Sequence, residues 1–332
     1  MRIAVIGAGA VGGAIAALLV RADHEVEVTA RGAHLTAMRE NGIHLTGAWG
    51  EYTAAVLASE QLTRGAELVI VATKARDAPA AVVENASMMR GIPVVVIQNG
   101  LEGMSAAAVA SPRSDIVGGL AIFAASFLSP GEVTVTTAGP LYVGVASGDS
   151  DVPARYAAQL LASVMPTVVV ANFVGAQWTK LVINQVNALP AITGLSVQEV
   201  IAHRRLRLIM TASMRENVRI GLASGIRFEK VQGLSRRGLR LFSALPLWIG
   251  QLLPLLMSAR IGATPNPGST LQSVRRGQLT EIDHLNGAVV DAATALGRIA
   301  AVNAALVALV HEVEASGEFY TPAHVTARVS QR

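Results

Sequence analysis

Gly7-Ala8-Gly9-Ala10-Val11-Gly12 is a G-x-G-x-x-G run, set between the short apolar stretch Arg2–Ile6 and the helix-length run AIAALLVRA. In that setting the first glycine makes a tight turn, the second lets backbone approach a pyrophosphate, and the third packs helix on strand. Amides at the helix start then face the phosphates along the positive end of the helix dipole. The competing reading, a merely structural glycine turn, does not need a strand before it and a helix after it. A dinucleotide site of the NAD type places Asp or Glu at the tip of the second strand, on the ribose diol. Here the tip reads Thr29-Ala30-Arg31-Gly32, and Glu27 falls short of it, in mid-strand. Arg31 stands where a 2′-phosphate would lie, and a guanidinium pairs with phosphate bidentately. NADP(H) is therefore expected over NAD(H), against the plainer reading of a solvated arginine.

Two further positions follow apolar strands. Lys74 ends LVIVATK, and Asn99-Gly100 follows PVVVIQ. Ligands of open α/β sheets bind beyond the carboxyl ends of strands, so both face the crevice, although an exposed lysine is just as often solvated. In the second half, WTKLVIN puts Lys180 and Asn184 on one helical face. A lysine among apolar residues either snorkels to the surface or is a desolvated ammonium suited to proton donation. The seven histidines are scattered without H-E-x-x-H spacing, there is no cysteine, and no G-x-S-x-G elbow occurs. That set argues against metal chemistry, a cysteine nucleophile or a serine hydrolase. His284 reads as a partly exposed helix residue or a residue lining the site.

The elements that must hold these groups change character along the chain. As far as Val145 the pattern is strand, helix, strand, with continuous apolar runs at Leu68–Ala72 and Pro93–Ile97, as in βαβ units with a buried parallel sheet. After about Asn172, strand signals vanish and helical patterns run over Gln177–Leu189, Val197–Ser224, Leu271–Leu296 and Ala300–Ala315. The expected organisation is an α/β dinucleotide-binding domain over 1–172 and an all-α domain over 173–332. Charged residues are 15% of the 332 and hydrophobic ones 52%, which excludes disorder as the main state. A net charge of +4 with 4% aromatics supplies neither the basic field nor the stacking platforms of a nucleic-acid binder. Leu241–Ala259 is uncharged and long enough to span a membrane, but Pro246 and Pro254 break it. It reads as a kinked segment facing the core or a dimer partner, in a cytoplasmic protein.

In ordered series, GAGAVG, Arg31, TKARD around Lys74, IQNG at Asn99, WTKLVIN from Trp178, GSTLQ around Ser269 and TEIDHLNG with Glu281 resemble the ketopantoate reductase (2-dehydropantoate 2-reductase) family. The resemblance covers nearly the whole chain and implies a Rossmann domain followed by a helical domain for substrate and dimerisation. The implied activity is reduction of the C2 carbonyl of a branched 2-oxo acid by NADPH, with ketopantoate in pantothenate biosynthesis the leading substrate. By match to the motifs, Lys180 is the general acid, and Glu281 binds substrate, holds the lysine ammonium and contacts the cofactor. Asn99 and Asn184 orient substrate and nicotinamide, Ser269 takes the substrate carboxylate, and Lys74 and Arg31 contact the cofactor. Another 2-oxo acid or an imine is the alternative substrate. A non-catalytic NADP(H) sensor is the alternative outside enzymes, and it has no use for a proton donor at Lys180.

Two positions depart from the family pattern. A second asparagine usually lies four residues after the one at Asn184; here Ala188 holds that place and Asn187 precedes it. Either the one-residue shift restores a substrate contact or the contact is lost. Asp77 stands where a neutral amide is common near the cofactor.

Overall fold

The computed structural model describes residues 1–146, 150–261 and 265–330. The chain divides into two compact units, Met1–Phe173 and Val174–Arg332. The first holds all twelve named strands: β1 Arg2–Ile6, β2 Glu25–Thr29, β3 Ile43–Gly47, β4 Tyr52–Ala54, β5 Leu57–Ser59, β6 Leu68–Val71, β7 Pro93–Ile97, β8 Asp115–Ala121, β9 Ala124–Ser129, β10 Glu132–Thr137, β11 Leu141–Gly144 and β12 Thr167–Val169.

Eight of them form one sheet in the order β12-β11-β8-β7-β6-β1-β2-β5. From β8 to β5 every pairing is parallel; β11 is antiparallel to β8. Strand order reverses between β1 and β6, the switch point at which a doubly wound sheet opens a crevice at its carboxyl edge. This is a Rossmann-type fold. The near-continuous apolar sequence of the central strands follows from burial on both faces. Ile3, Val5, Leu68, Ile70 and Val95 face one core with the helix Ala10–Arg21, while Ala4, Ile6, Val69, Val71 and Val94 face another with Val82 and Met89 of the helix Ala78–Met89. The remaining strands form a small sheet, β4-β3-β10-β9, whose Leu45 and Val133 join the first of these cores.

Among the described residues of the second unit no named strand occurs. The run expected as one helix over Val197–Ser224 is two, Val197–Ala202 and Arg204–Ala223. His203 separates them in extended backbone, and its side chain caps the second helix by accepting from the Leu206 amide. The run Leu271–Leu296 is interrupted once, after Gly268–Arg275, where Gly277 takes a φ of +61°; beyond it a π turn at Asp283–Gly287 runs directly into Ala288–Ala295. Leu241–Ala259 forms parts of three short helices, Arg236–Ala244, Leu247–Gly250 and Leu252–Ile261. Leu245 and Pro246 are extended and break the first junction. Pro254 sits in the first turn of the third helix, where its missing N–H costs nothing. The segment is core on one side only: Phe242 is buried, whereas Trp248 is 72% exposed and Leu241, Leu252 and Leu256 are exposed, so the core-facing expectation holds for part of it. No described helix is long and apolar enough to cross a membrane.

Candidate active site

In the first unit the phosphate turn has two positions, Gly7 and Gly12, whose sterics only glycine satisfies. Gly7 has a φ of +92°, and a Cβ there would sit 2.6 Å from Thr73 Cγ2. A Cβ on Gly12 would overlap the Gly7 carbonyl oxygen, whereas one on Gly9 meets nothing within 4 Å. Gly9 is thus open for a reason other than protein packing. It is also the N-cap of the helix Ala10–Arg21 and offers no side-chain cap, and no acidic residue lies in the first turn. The first-turn amides of Ala10, Val11 and Gly12 are left for an anion, which fits a pyrophosphate. The turn is pinned to the tip of β2: Gly7 N donates to Thr29 Oγ1 at 3.0 Å and Ala8 N to Thr29 O at 3.1 Å.

His34, which its spacing in the sequence does not single out, braces the same turn. Gly131 N donates to His34 Nδ1 at 3.0 Å, so the ring proton is on Nε2, which donates to Ala8 O at 2.7 Å.

The other expected cofactor residues stand at the carboxyl ends of neighbouring parallel strands. Arg31 follows β2 as the N-cap of the helix Gly32–Asn41. Its side chain is 72% exposed and meets Glu84 Oε2 at 2.9 Å. Glu27 is in mid-strand and buried, and its carboxylate accepts from Ser59 Oγ, from Thr63 N and Oγ1, and from Arg64 N. It cannot serve a ribose. Lys74 lies beyond β6 at the start of the turn Ala75–Asp77, and Asn99 lies two residues beyond β7; both are half-buried. Gln98 Nε2 donates to Thr73 O at 3.2 Å, tying those two strand ends together. Asp77 is exposed and pairs with Arg76 at 3.2 Å.

In the second unit, Lys180 and Asn184 share one helix, Phe173–Asn184, and are both half-buried. Burial disfavours the Lys180 ammonium and the Glu281 carboxylate favours it; burial wins, and the pKa is pushed down to about 8. That is the range in which a lysine is mostly protonated at neutral pH yet gives up a proton readily. If Lys180 is the acid, kcat/KM for carbonyl reduction should be flat below pH 8 and fall about tenfold per unit above it, as the ammonium of the free enzyme is lost. A pH–rate profile checks this, and activity that rises through pH 8 to 10 would exclude Lys180 as the acid.

Asn187 and Ser269 are also brought together. Ser269 N donates to Asn187 Oδ1 at 3.3 Å, so the shifted asparagine supports the first turn of the helix Gly268–Arg275. Ser269 is exposed, while Ala188 is fully buried. The residue at the family's second asparagine position is therefore withdrawn into the helical core. His284 lies in the π turn and is half-buried.

A parallel sheet with an open phosphate turn, and a helical unit with a half-buried lysine under the charge of a glutamate, fit an oxidoreductase of the nicotinamide-dependent kind. The family models for ketopantoate reductase PanE/ApbA match residues 3–148, and for its C-terminal part residues 172–314. A 2-dehydropantoate 2-reductase of Pyrococcus horikoshii is 25% identical over 319 residues, covering 96% of this chain and 99% of its own. The PanE/ApbA family ketopantoate reductase of Ralstonia eutropha JMP134 superposes with a TM-score of 0.79 at 28% identity, over 95% of this chain and 99% of that one. D-Mandelate dehydrogenase, in a ternary structure with NADH and anilino(oxo)acetate, has a TM-score of 0.82 at 19% identity, over 95% and 99% of the two chains, and shares the fold. The chain belongs to the ketopantoate reductase family and is an oxidoreductase of the 2-dehydropantoate 2-reductase type. The non-catalytic sensor falls away.

Proposed function

We propose that the protein reduces a branched 2-oxo acid to the 2-hydroxy acid with NADPH, and that 2-dehydropantoate is its leading substrate. The observation that carries this reading is Lys180, half-buried on the helix Phe173–Asn184 with the Glu281 carboxylate acting on it, so that burial lowers its pKa to about 8 and Glu281 opposes the fall. A bound nicotinamide supplies the hydride to C2. As the carbonyl oxygen gains charge, the Lys180 ammonium donates its proton to it, and Glu281 holds that ammonium in place. Asn184, one turn along the same helix, orients the substrate. Ser269, supported through its amide by Asn187, takes the substrate carboxylate. In the first unit, Gly7 to Gly12 receive the pyrophosphate, and Lys74 and Asn99 contact the cofactor.

Arg31 is the residue assigned to the 2′-phosphate. Its present partner is a single exposed carboxylate, Glu84, so a phosphate has one surface ion pair to displace. Arg31→Ala should weaken NADPH about ten- to a hundredfold and leave NADH nearly unchanged, because only NADPH has the phosphate to lose. Equal losses in fluorescence titrations with both cofactors would remove Arg31 from this role.

NADPH oxidation at 340 nm against a panel of 2-oxo acids tests the whole reading, and a chain that binds NADPH but turns over none of them would refute it. The buried Ala188 favours a second reading within the same chemistry, a 2-oxo acid that lacks the polar group which a second asparagine would meet. The panel should include aromatic and straight-chain acids for that reason. The helical unit's exposed Leu241, Trp248, Leu252 and Leu256 are the face assigned to a homodimer, and light scattering tests that assignment.

A further inference from the structure

Of the motif TEIDHLNG, the reaction uses Glu281; Asn286 has another placement. It lies in the π turn Asp283–Gly287 and is fully buried. Its Nδ2 donates to Gln185 Oε1 at 2.7 Å and to Asn303 Oδ1 at 2.9 Å, with Ser213 Oγ at 3.3 Å. Gln185, Ser213 and Asn303 are all 0% exposed. Ser213 Oγ stands 2.6 Å from Gln185 Oε1 and 2.9 Å from Asn303 Oδ1, and its single proton serves one of them at a time. Glu216 closes the chain of bonds. Its Oε2 accepts from Asn303 Nδ2 at 2.7 Å and Asn303 N at 2.9 Å, and its Oε1 from Val302 N at 3.0 Å.

That carboxylate fixes the polarity of everything behind it. Asn303 must turn its NH₂ to Glu216 and its oxygen inward, so Asn286 must present NH₂ and not oxygen to the cluster. Asn286 Oδ1 is consequently buried without a hydrogen-bond partner. A buried polar atom in that state is costly, and a fold retains it where the arrangement serves something else. A π turn carries the same implication, since it departs from the regular helical ladder and is frequent at functional sites.

What the cluster joins is specific. Gln185 directly follows the helix that carries Lys180, and its Nε2 returns to Leu181 O at 3.2 Å, within that helix. Asn286 follows Glu281 by the same five positions that separate Gln185 from Lys180. We propose that Asn286 and Gln185 are positioning residues, whose buried amide pair sets the spacing and alignment of the Lys180 ammonium against the Glu281 carboxylate. This rests on the reading of Lys180 as the proton donor. The other charged groups about the turn brace its outer side. Asp283 meets His311 Nε2 at 2.9 Å, while Glu314 meets His311 Nδ1 at 2.8 Å and accepts from Thr280 N at 2.7 Å.

The test uses the whole protein. It carries only three lysines, Lys74, Lys180 and Lys230, so ¹³Cε-lysine NMR follows the Lys180 titration without turnover. Asn286→Leu keeps the branching of the side chain at Cγ and removes the donor. The Lys180 midpoint should fall below 8, because Glu281's pull weakens while the helix still buries the ammonium. With NADPH and 2-dehydropantoate, kcat should drop about tenfold or more, with NADPH affinity within about twofold of the parent. Should Asn286→Leu not fold, Gln185→Met breaks the same bond from its other end, with the same expectations. A folded variant with an unmoved midpoint overturns the proposal, whether or not kcat falls. Glu281→Gln separates the two levels. If it too leaves the midpoint in place, the Lys180–Glu281 pairing is at fault; if it lowers the midpoint and Asn286→Leu does not, the positioning network alone fails.

Discussion

Lys180→Met should lose about 10²–10⁴-fold in kcat for 2-oxo acid reduction while the protein stays folded and binds NADPH. The ammonium interacts more strongly with the forming alkoxide than with the ground-state carbonyl, so its removal raises the barrier more than it weakens binding. The loss should therefore fall on kcat, with KM much less affected. The fold should tolerate the change because burial already disfavours the charge, as the pKa near 8 states, and Met is close to the apolar part of Lys in volume. Lys180→Arg is the sharper variant. It keeps a positive charge, but a guanidinium does not release its proton, so a purely electrostatic role would survive and proton donation would not. Combined with Glu281→Ala, the Lys180→Met loss should be less than additive, since the two groups act as one unit. Near-normal kcat in Lys180→Met would reduce the residue to a snorkelling lysine. Stopped-flow hydride transfer and a thermal melt read the two parts separately.

How much of this could be read from sequence depends on how local each signal is. The phosphate turn is local: strand, glycine spacing and helix are contiguous, and Gly7, Gly9 and Gly12 have the stereochemistry that the motif implies. Central strands were legible because burial on both faces leaves a continuous apolar run, and the placement of Glu27 in mid-strand followed from its distance to the strand tip. Helix lengths in the second unit were not legible, because hydrophobic periodicity continues across breaks that a single extended residue makes. His203 is one such residue, with a φ of −77° and a ψ of 107°. Whether Leu241–Ala259 faces the core or a dimer partner stayed open for a related reason: an apolar sequence records what could be buried, not what this chain alone buries. Lys180 carried two meanings from its helix, and only its coupling to Glu281, 101 positions later, favours one of them. Gln185, Ser213 and Asn303 gave no signal at all, and Asn286 only its place in TEIDHLNG, since buried polar residues at helical spacing look like any solvent-facing groups until their partners are known. His34 is hidden in the same way: both its partners, Ala8 O and Gly131 N, are backbone atoms that no side-chain pattern reveals.

Gly12→Ala and Gly9→Ala should fail in different ways, and the difference tests the cofactor turn itself. A Cβ at position 12 would overlap Gly7 O and lie 3.0 Å from Ala72 Cβ, so backbone must move on both sides of the turn. Overpacking of this kind costs about 1–3 kcal/mol, and displacing the turn amides by about 1 Å is worth roughly a further hundredfold in a positioned interaction. Gly12→Ala should accordingly melt several degrees lower and bind NADPH at least a hundredfold more weakly. At position 9 nothing of the protein lies within 4 Å of the new methyl, and the backbone there is extended, with a φ of −68° and a ψ of −156°. Gly9→Ala should therefore keep the parental melting temperature within about 1 °C, because neither packing nor backbone preference opposes it. Its methyl group instead occupies the space through which a pyrophosphate must approach the helix amides, so affinity should fall by about tenfold or more with stability intact. Differential scanning fluorimetry with and without NADPH reads both effects in one experiment. A Gly9→Ala protein that binds NADPH as tightly as its parent would mean that the open face of the turn is not where the phosphates lie.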